Sequence, residues 1–206
     1  MTAAPHLAGP DLIDHLIGRG DLTVDDIADL PEDLRYELID GRLLLTPNAL
    51  PIHQVISQNA AFALEMNRPD DLVVNMEQAV LLNRRNELRP DVMVFQEEGA
   101  GRSPVPAADV LLVVEVISPS SKFDDPGHKA KRYADLGIPA HWIIDPLAGP
   151  VTLTQFALGP DGSYEQLRRT AELVTLDQPW PVTLDLPAWT RRRDRINERA
   201  SRRAWS

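Results

Sequence analysis

Along this chain the spacing of apolar and polar positions changes several times, and each change marks an element. Arg35-Tyr-Glu-Leu-Ile39 and Arg42-Leu-Leu-Leu-Thr46 are short apolar runs separated by Asp40-Gly41. That arrangement predicts a two-residue β-hairpin, because both turn residues need positive φ and Asp-Gly tolerates it. Pro51 opens a helix expected to reach about Asn67, with Ile52, Val55, Ile56, Ala60, Ala63 and Leu64 at roughly helical spacing. Leu72–Leu82 reads as one strand, Arg84-Arg-Asn86 as a turn, Asp91–Phe95 as the next strand and 97–108 as a Gly/Pro-bearing loop. Val110–Ile117 is apolar on both faces, as a central strand must be, and Ser118-Pro-Ser-Ser121 breaks it. Pro126–Leu136 predicts a helix closed by Gly137, and His141–Asp145 a strand ended by Pro146. Val151–Leu158 and Tyr164–Arg169 flank Gly159-Pro-Asp-Gly162 as a second hairpin; Trp180–Leu186 is a short extended segment and Trp189–Ala204 a final helix. Upstream, 9–30 predicts two short helices, the second with Thr23 as N-cap of Val24–Leu30 and Pro31 as its stop.

The order hairpin, helix, three strands, helix, strand implies the α/β (α+β) class: a mixed sheet with helices packed on it. A length of 206 residues suits one domain over 1–190. Its expected parts are an N-terminal helical segment 9–31, a core 34–146 and C-terminal strands 151–186, with an Arg-rich helix or tail at 189–206.

Charge refines this picture. The net charge of −10 argues against a protein that coats nucleic acid generically. The charge is uneven: residues 191–206 carry seven Arg against Asp194 and Glu198, about +5, leaving about −15 for the rest. Such a tail suits phosphates or a neighbouring subunit, or is a solvated helix. No apolar stretch is long enough to span a bilayer, no signal peptide is evident, and Cys is absent, which fits a cytoplasmic protein. The only lysines, Lys122, Lys129 and Lys131, cluster within ten residues of a chain that otherwise uses Arg for positive charge.

The candidate chemistry lies around the central strand. Leu111, Val113, Glu115 and Ile117 share one strand face, so Glu115 is a carboxylate on an apolar face. An ionised carboxylate there needs a cation, a metal or hydrogen bonds; a wet rim or an Arg partner is the alternative. Asp91 follows Pro90 at the start of the preceding strand, where Pro-Asp also occurs as a plain strand start. Together, two carboxylates on neighbouring strands offer hard oxygen ligands to Mg²⁺. Lys129, Arg132, Tyr133 and Leu136 form one helical stripe, whereas Lys131 pairs by spacing with Asp135 on another, so Lys129 is the better site candidate.

Glu37 in Tyr36-Glu-Leu-Ile-Asp-Gly41, Pro90-Asp91, Glu115-Val-Ile-Ser-Pro-Ser120, Asp125-Pro-Gly-His-Lys129 with Tyr133, Gly137, and Trp142-Ile-Ile-Asp145 together resemble the Uma-type restriction endonuclease family of the PD-(D/E)XK nuclease superfamily. The resemblance covers residues from about 23 to 188. It implies a restriction-endonuclease-like core and a metal-dependent endonuclease acting on DNA, with a homodimer expected. Asp91, Glu115 and the Val116 carbonyl would hold Mg²⁺ or Mn²⁺, Glu37 would be a further acidic ligand or base partner, and Lys129 would orient the attacking water. His53 and Gln54 recur in the pattern and would reach the site or the substrate, as would Tyr133, for which packing is the competing role. The signature places a Lys two residues after the Glu; here that residue is Ile117, which the resemblance explains by migration of the Lys to Lys129, with Lys122 as the fallback. A nuclease-fold module that binds nucleic acid or a protein without turnover is the rival reading. A carboxylate-pair glycosidase ranks below both, because aromatic content is only 5%.

Overall fold

The computed structural model describes residues 10–31, 34–46, 48–119, 126–147 and 149–203. Helix α1 (Pro10–Leu16) is followed by a single 3-10 turn, Val24–Ile27, where a longer helix is expected from sequence. Thr23 gives its hydroxyl and its backbone N–H to Asp26 Oδ2, at 2.7 and 2.8 Å, so Asp26 reaches back to tie the start of the turn. The hairpin forms as expected between β1 (Tyr36–Ile39) and β2 (Arg42–Leu45), with Asp40 at φ 50° and Gly41 at φ 77°. Helix α2 (Pro51–Glu65) starts on Pro51 in its first turn.

The expected strand Leu72–Leu82 is two strands, β3 (Leu72–Met76) and β4 (Val80–Asn83), which join different sheets. The chain bends at Glu77, whose φ is 53° and whose N–H donates to the Asp91 carbonyl at 3.2 Å. Met76-Glu77-Gln78-Ala79 holds no Gly or Pro, so nothing local announces the bend. The turn after β4 is shorter than expected: Asn83 Oδ1 accepts from the Arg85 N–H at 2.9 Å, and Asn86 already begins β5 (Asn86–Leu88). Next come β6 (Val92–Gln96), β7 (Val105–Pro106) inside the stretch read as loop, β8 (Val110–Val116), α3 (Pro126–Asp135) and β9 (Ala140–Asp145). Strands β10 (Thr152–Leu158) and β11 (Tyr164–Thr170) form the second hairpin; β12 (Leu173–Leu176), not expected, pairs with β13 (Val182–Asp185). Helix α4 (Leu186–Arg203) begins three residues earlier than expected, capped by Asp185 Oδ1, which accepts from the Ala188 N–H at 2.9 Å.

The mixed α/β class is as expected, but the β-structure divides into a five-stranded sheet in the order β2-β1-β5-β4-β7, a six-stranded sheet in the order β11-β10-β9-β8-β6-β3 and the two-stranded β12-β13. In the larger sheet β8 and β9 run parallel, and α3 lies in the crossover between them. One face of this sheet packs Val92, Val94, Leu112, Val114, Val116, Trp142 and Ile144 against Ile56, Ala60 and Leu64 of α2 and Leu186 and Trp189 of α4. The other face packs Met93, Phe95 and Val113 against Tyr133 of α3 and Ile138. Each fully buried large side chain of this kind contributes about 1.5–3 kcal/mol relative to exposure. The two β8 faces differ as strand alternation requires, and Glu115 belongs to the α3 side with Val113. Helix α4 is no free tail. Arg193, buried, donates from Nη1 to the Pro146 carbonyl at 2.7 Å and from Nη2 to the Gly149 carbonyl at 2.6 Å.

Candidate active site

The site lies where the two sheets meet at the C-terminal end of β8. Antiparallel pairing of β6 with β8 aligns Val92 with Val114, and one further step in that register sets Asp91 opposite Glu115. Asp91 Oδ2 accepts from the Val116 N–H at 2.6 Å, which ties the start of β6 to the end of β8. From α2, His53 Nε2 lies 3.2 Å from Asp91 Oδ2 and 3.0 Å from the Val116 carbonyl oxygen. An Nε2–H donor serves both acceptors. Burial opposes protonation of His53, but the Asp91 carboxylate, the Val116 carbonyl and the nearby Glu115 outweigh it and raise its pKa.

The α3 side supplies the other half. Tyr133, fully buried, donates its hydroxyl to Glu115 Oε1 at 2.8 Å. Lys129, one turn earlier, places Nζ 3.8 Å from the same oxygen and 2.8 Å from Glu37 Oε1. Glu37 Oε1 also accepts the Arg89 N–H at 3.1 Å, while Glu37 Oε2 is buried and has no hydrogen-bond partner among the described residues. Arg132 of α3 reaches Asp40 in the hairpin turn at 2.5 Å, so two cations of one helix, Lys129 and Arg132, dock it on the β1–β2 hairpin. Asp91, Glu115 and Lys129 each keep 15–16% of their side chains exposed, so the cluster opens to solvent.

Electrostatics single out Glu115. Burial pushes its pKa up to about 7; the Asp91 and Glu37 charges push the same way, against Lys129 and the Tyr133 hydroxyl. Tyr133 is held protonated by its burial and by Glu115. A carboxyl near neutrality, enclosed by two other acids and one lysine, is a place where positive charge is in demand.

The structure therefore brings together Glu37, His53, Asp91, Glu115, Val116, Lys129 and Tyr133. Gln54 stands at the rim, donating from Nε2 to Glu77 Oε1 at 2.6 Å, and Arg35 pairs with the same oxygen. Tyr133 presents no surface to a substrate, since its ring is buried and its hydroxyl is spent on Glu115. Lys122 lies outside the described residues. Glu77, Arg35 and Arg89 were not legible as site neighbours in the sequence. The positive φ of Glu77 brings it beside Asp91, and only the bend between β3 and β4 creates that proximity.

The fit of a divalent cation can be judged from the donors. Asp91, Glu115 and the Val116 carbonyl are hard oxygen donors, and the orphaned, buried Glu37 Oε2 is a fourth acceptor in need of a partner. Among the described residues no group of three or more His, Asp or Glu side chains is placed to hold a metal ion. An ion here would keep much of its water, as Mg²⁺ characteristically does. The donor set fits such an ion.

The chain belongs to the Uma2 family, described as "Putative restriction endonuclease", whose model matches residues 24–192. Among solved structures it is similar to a putative nuclease belonging to DUF820 from Anabaena variabilis ATCC 29413, with a TM-score of 0.63 and 18% identity, covering 82% of this chain and 99% of that one. That likeness shows a shared fold. No curated protein matches the chain. Among the described residues no helix is long and apolar enough to cross a membrane.

Proposed function

We propose that this protein is a metal-dependent endonuclease that hydrolyses phosphodiester bonds of DNA. The observation that carries the reading is the meeting of Asp91, Glu115 and Lys129 at one strand end, inside the segment that matches the family. Asp91, Glu115 and the Val116 carbonyl would hold Mg²⁺ or Mn²⁺, which when bound supplies Lewis-acid stabilisation of charge on the phosphoryl oxygens. Lys129 orients the attacking water and offsets charge that develops at phosphorus. Water adds in line and releases a proton to solvent, the bond to the leaving 3′-oxygen breaks, and that oxygen takes up a proton from solvent. Glu37 holds Lys129 in place at 2.8 Å, and so acts through the lysine. Tyr133 fixes the Glu115 rotamer, and His53 fixes Asp91 together with the Val116 carbonyl.

Supercoiled plasmid with Mg²⁺, Mn²⁺ or EDTA is the test, with wild type beside Asp91→Asn and Lys129→Ala. Metal-dependent nicking that both substitutions abolish is the expected result. Nicking that persists in Asp91→Asn overturns the assignment. Absence of nicking from wild type, on duplex and single-stranded DNA alike, favours the module that binds without turnover.

A further inference from the structure

The net charge of −10 leaves a DNA-cleaving reading with an electrostatic problem, and α4 holds the means to solve it. At 100° per residue, Arg191, Arg192, Arg195, Arg199 and Arg202 fall within about 100° of arc on one side of the helix. All five are exposed. The opposite side carries the anchors: Leu186 and Trp189 in the core, and Arg193 clamped on the Pro146 and Gly149 carbonyls. Five arginines therefore share the outward face, while Arg193, out of phase with them, is buried. Among the described residues none of Arg191, Arg195, Arg199 and Arg202 has a carboxylate partner; Arg192 donates to Asn59 Oδ1 at 3.0 Å.

The position of the stripe matters as much as its sign. Asn59 belongs to α2, the helix whose first turns carry His53 and Gln54. Pro146, clamped by Arg193, directly follows β9, and Ile144 of β9 stands level with Val116 at the catalytic end of the sheet. The stripe thus starts at the same end of the sheet as the acid cluster, on the α2 face rather than the α3 face that carries Glu115, and runs along α4 for about 15 Å from Arg192 to Arg202. Duplex DNA presents one charge per ~1.7 Å of its axis, so a stripe of that length spans several phosphates. Arginine suits this use, because its planar fork makes two-pronged hydrogen bonds to phosphate oxygens.

We infer that the Arg191–Arg202 face of α4 is the surface that holds the phosphate backbone of duplex DNA and leads it to the Asp91–Glu115 end of the sheet. The inference rests on the nuclease reading and adds the binding surface to it. It is tested with Asp91→Asn protein, which keeps bound DNA uncut, against the same protein carrying Arg192→Gln, Arg195→Gln, Arg199→Gln and Arg202→Gln. Affinity for a fluorescent duplex is measured over a series of salt concentrations, with sedimentation and thermal unfolding of both proteins alongside. The expected result is at least a tenfold weaker affinity and a slope of log K against log salt shallower by about 3 to 4, since each lost phosphate contact removes about 0.9. Melting temperature should stay the same, because all four side chains are exposed. An unchanged affinity and slope overturns the inference and leaves the nuclease reading standing; failure of the Asp91→Asn protein itself to bind DNA counts against both. A dimer that becomes a monomer on substitution, with the salt slope unchanged, assigns the face to a second copy of the chain and overturns the inference too.

Discussion

Two neighbouring rungs of one ladder behave in opposite ways. Val92, Val114 and Trp142 stand side by side across β6, β8 and β9, and all three are fully buried in hydrocarbon. One residue along the strands, the rung holds Glu115 with Ile143 on one side and Asp91 on the other, and its face turns from α2 and α4 to α3. The first rung belongs to the packed core that stabilises the sheet. The second places carboxylates near one another, at an energetic cost, where a cation would relieve it. The alternation of a β-strand is enough to keep these two tasks within 3–4 Å of chain and on separate faces. Changes on one rung should therefore act on stability, and changes on the other on chemistry and on how stability varies with pH.

The largest effect should come from the acid rung. Glu115→Gln should abolish metal-dependent cleavage in a plasmid assay while the protein stays folded by circular dichroism. Trp142→Ala breaks the comparison from the other side: loss of about 3–5 kcal/mol of unfolding free energy in urea is expected, a large share of a marginal total. The molecules that remain folded should bind Mn²⁺ as wild type does. An intermediate effect is expected of Tyr133→Phe, which removes only the hydroxyl bonded to Glu115. Cleavage or metal affinity should fall about 10- to 100-fold, the usual range for groups that orient a ligand.

Acid–base behaviour sharpens the comparison further. In the folded, metal-free protein Glu115 keeps its proton up to about pH 7, against the ordinary carboxyl value of 4.5. The folded state thus binds more protons than the unfolded state across that window. Through this group, stability is fully present below pH 4.5 and is lost as pH rises through 7. Melting temperatures recorded over pH 4–8 in EDTA should show a downward component that Glu115→Gln removes. Saturating Mn²⁺ should reverse it, because a bound cation favours the ionised carboxylate. The smallest effect is expected on the outer side of α3, where Lys131 pairs with Asp135 at 2.8 Å in open solvent. Lys131→Ala should change stability by no more than about 0.5 kcal/mol and leave cleavage intact.

The acid rung was the most legible part of the sequence, and the reason is physical. A glutamate amid seven apolar residues calls for a compensating partner or a wet rim, and an Asp-Gly pair favours a turn. The helical stripe of Lys129 and Tyr133 likewise fixed which lysine faces the sheet: Lys129 lies 3.8 Å from Glu115, whereas Lys131 lies on the solvent side. What stayed hidden was decided by partners distant in the chain. The bend at Glu77 has no local breaker residue, so two strands read as one, and with it the split into two sheets was lost. The three-residue β5 and two-residue β7 are too short to show any period, and their pairing across the smaller sheet is what makes them strands. The grip of Glu37 on Lys129 joins residues 92 positions apart, which no spacing rule reaches.

The proposed nuclease chemistry requires the Asp91–Glu115 rung to bind a divalent cation. Calorimetric titration of Mn²⁺ into wild type and Glu115→Gln at pH 6 and pH 8 tests it most directly. The account predicts a single site in wild type, tighter at pH 8, with proton release at pH 6, and loss of that site in Glu115→Gln. Equal binding by both proteins, or the same affinity at both pH values, would contradict it.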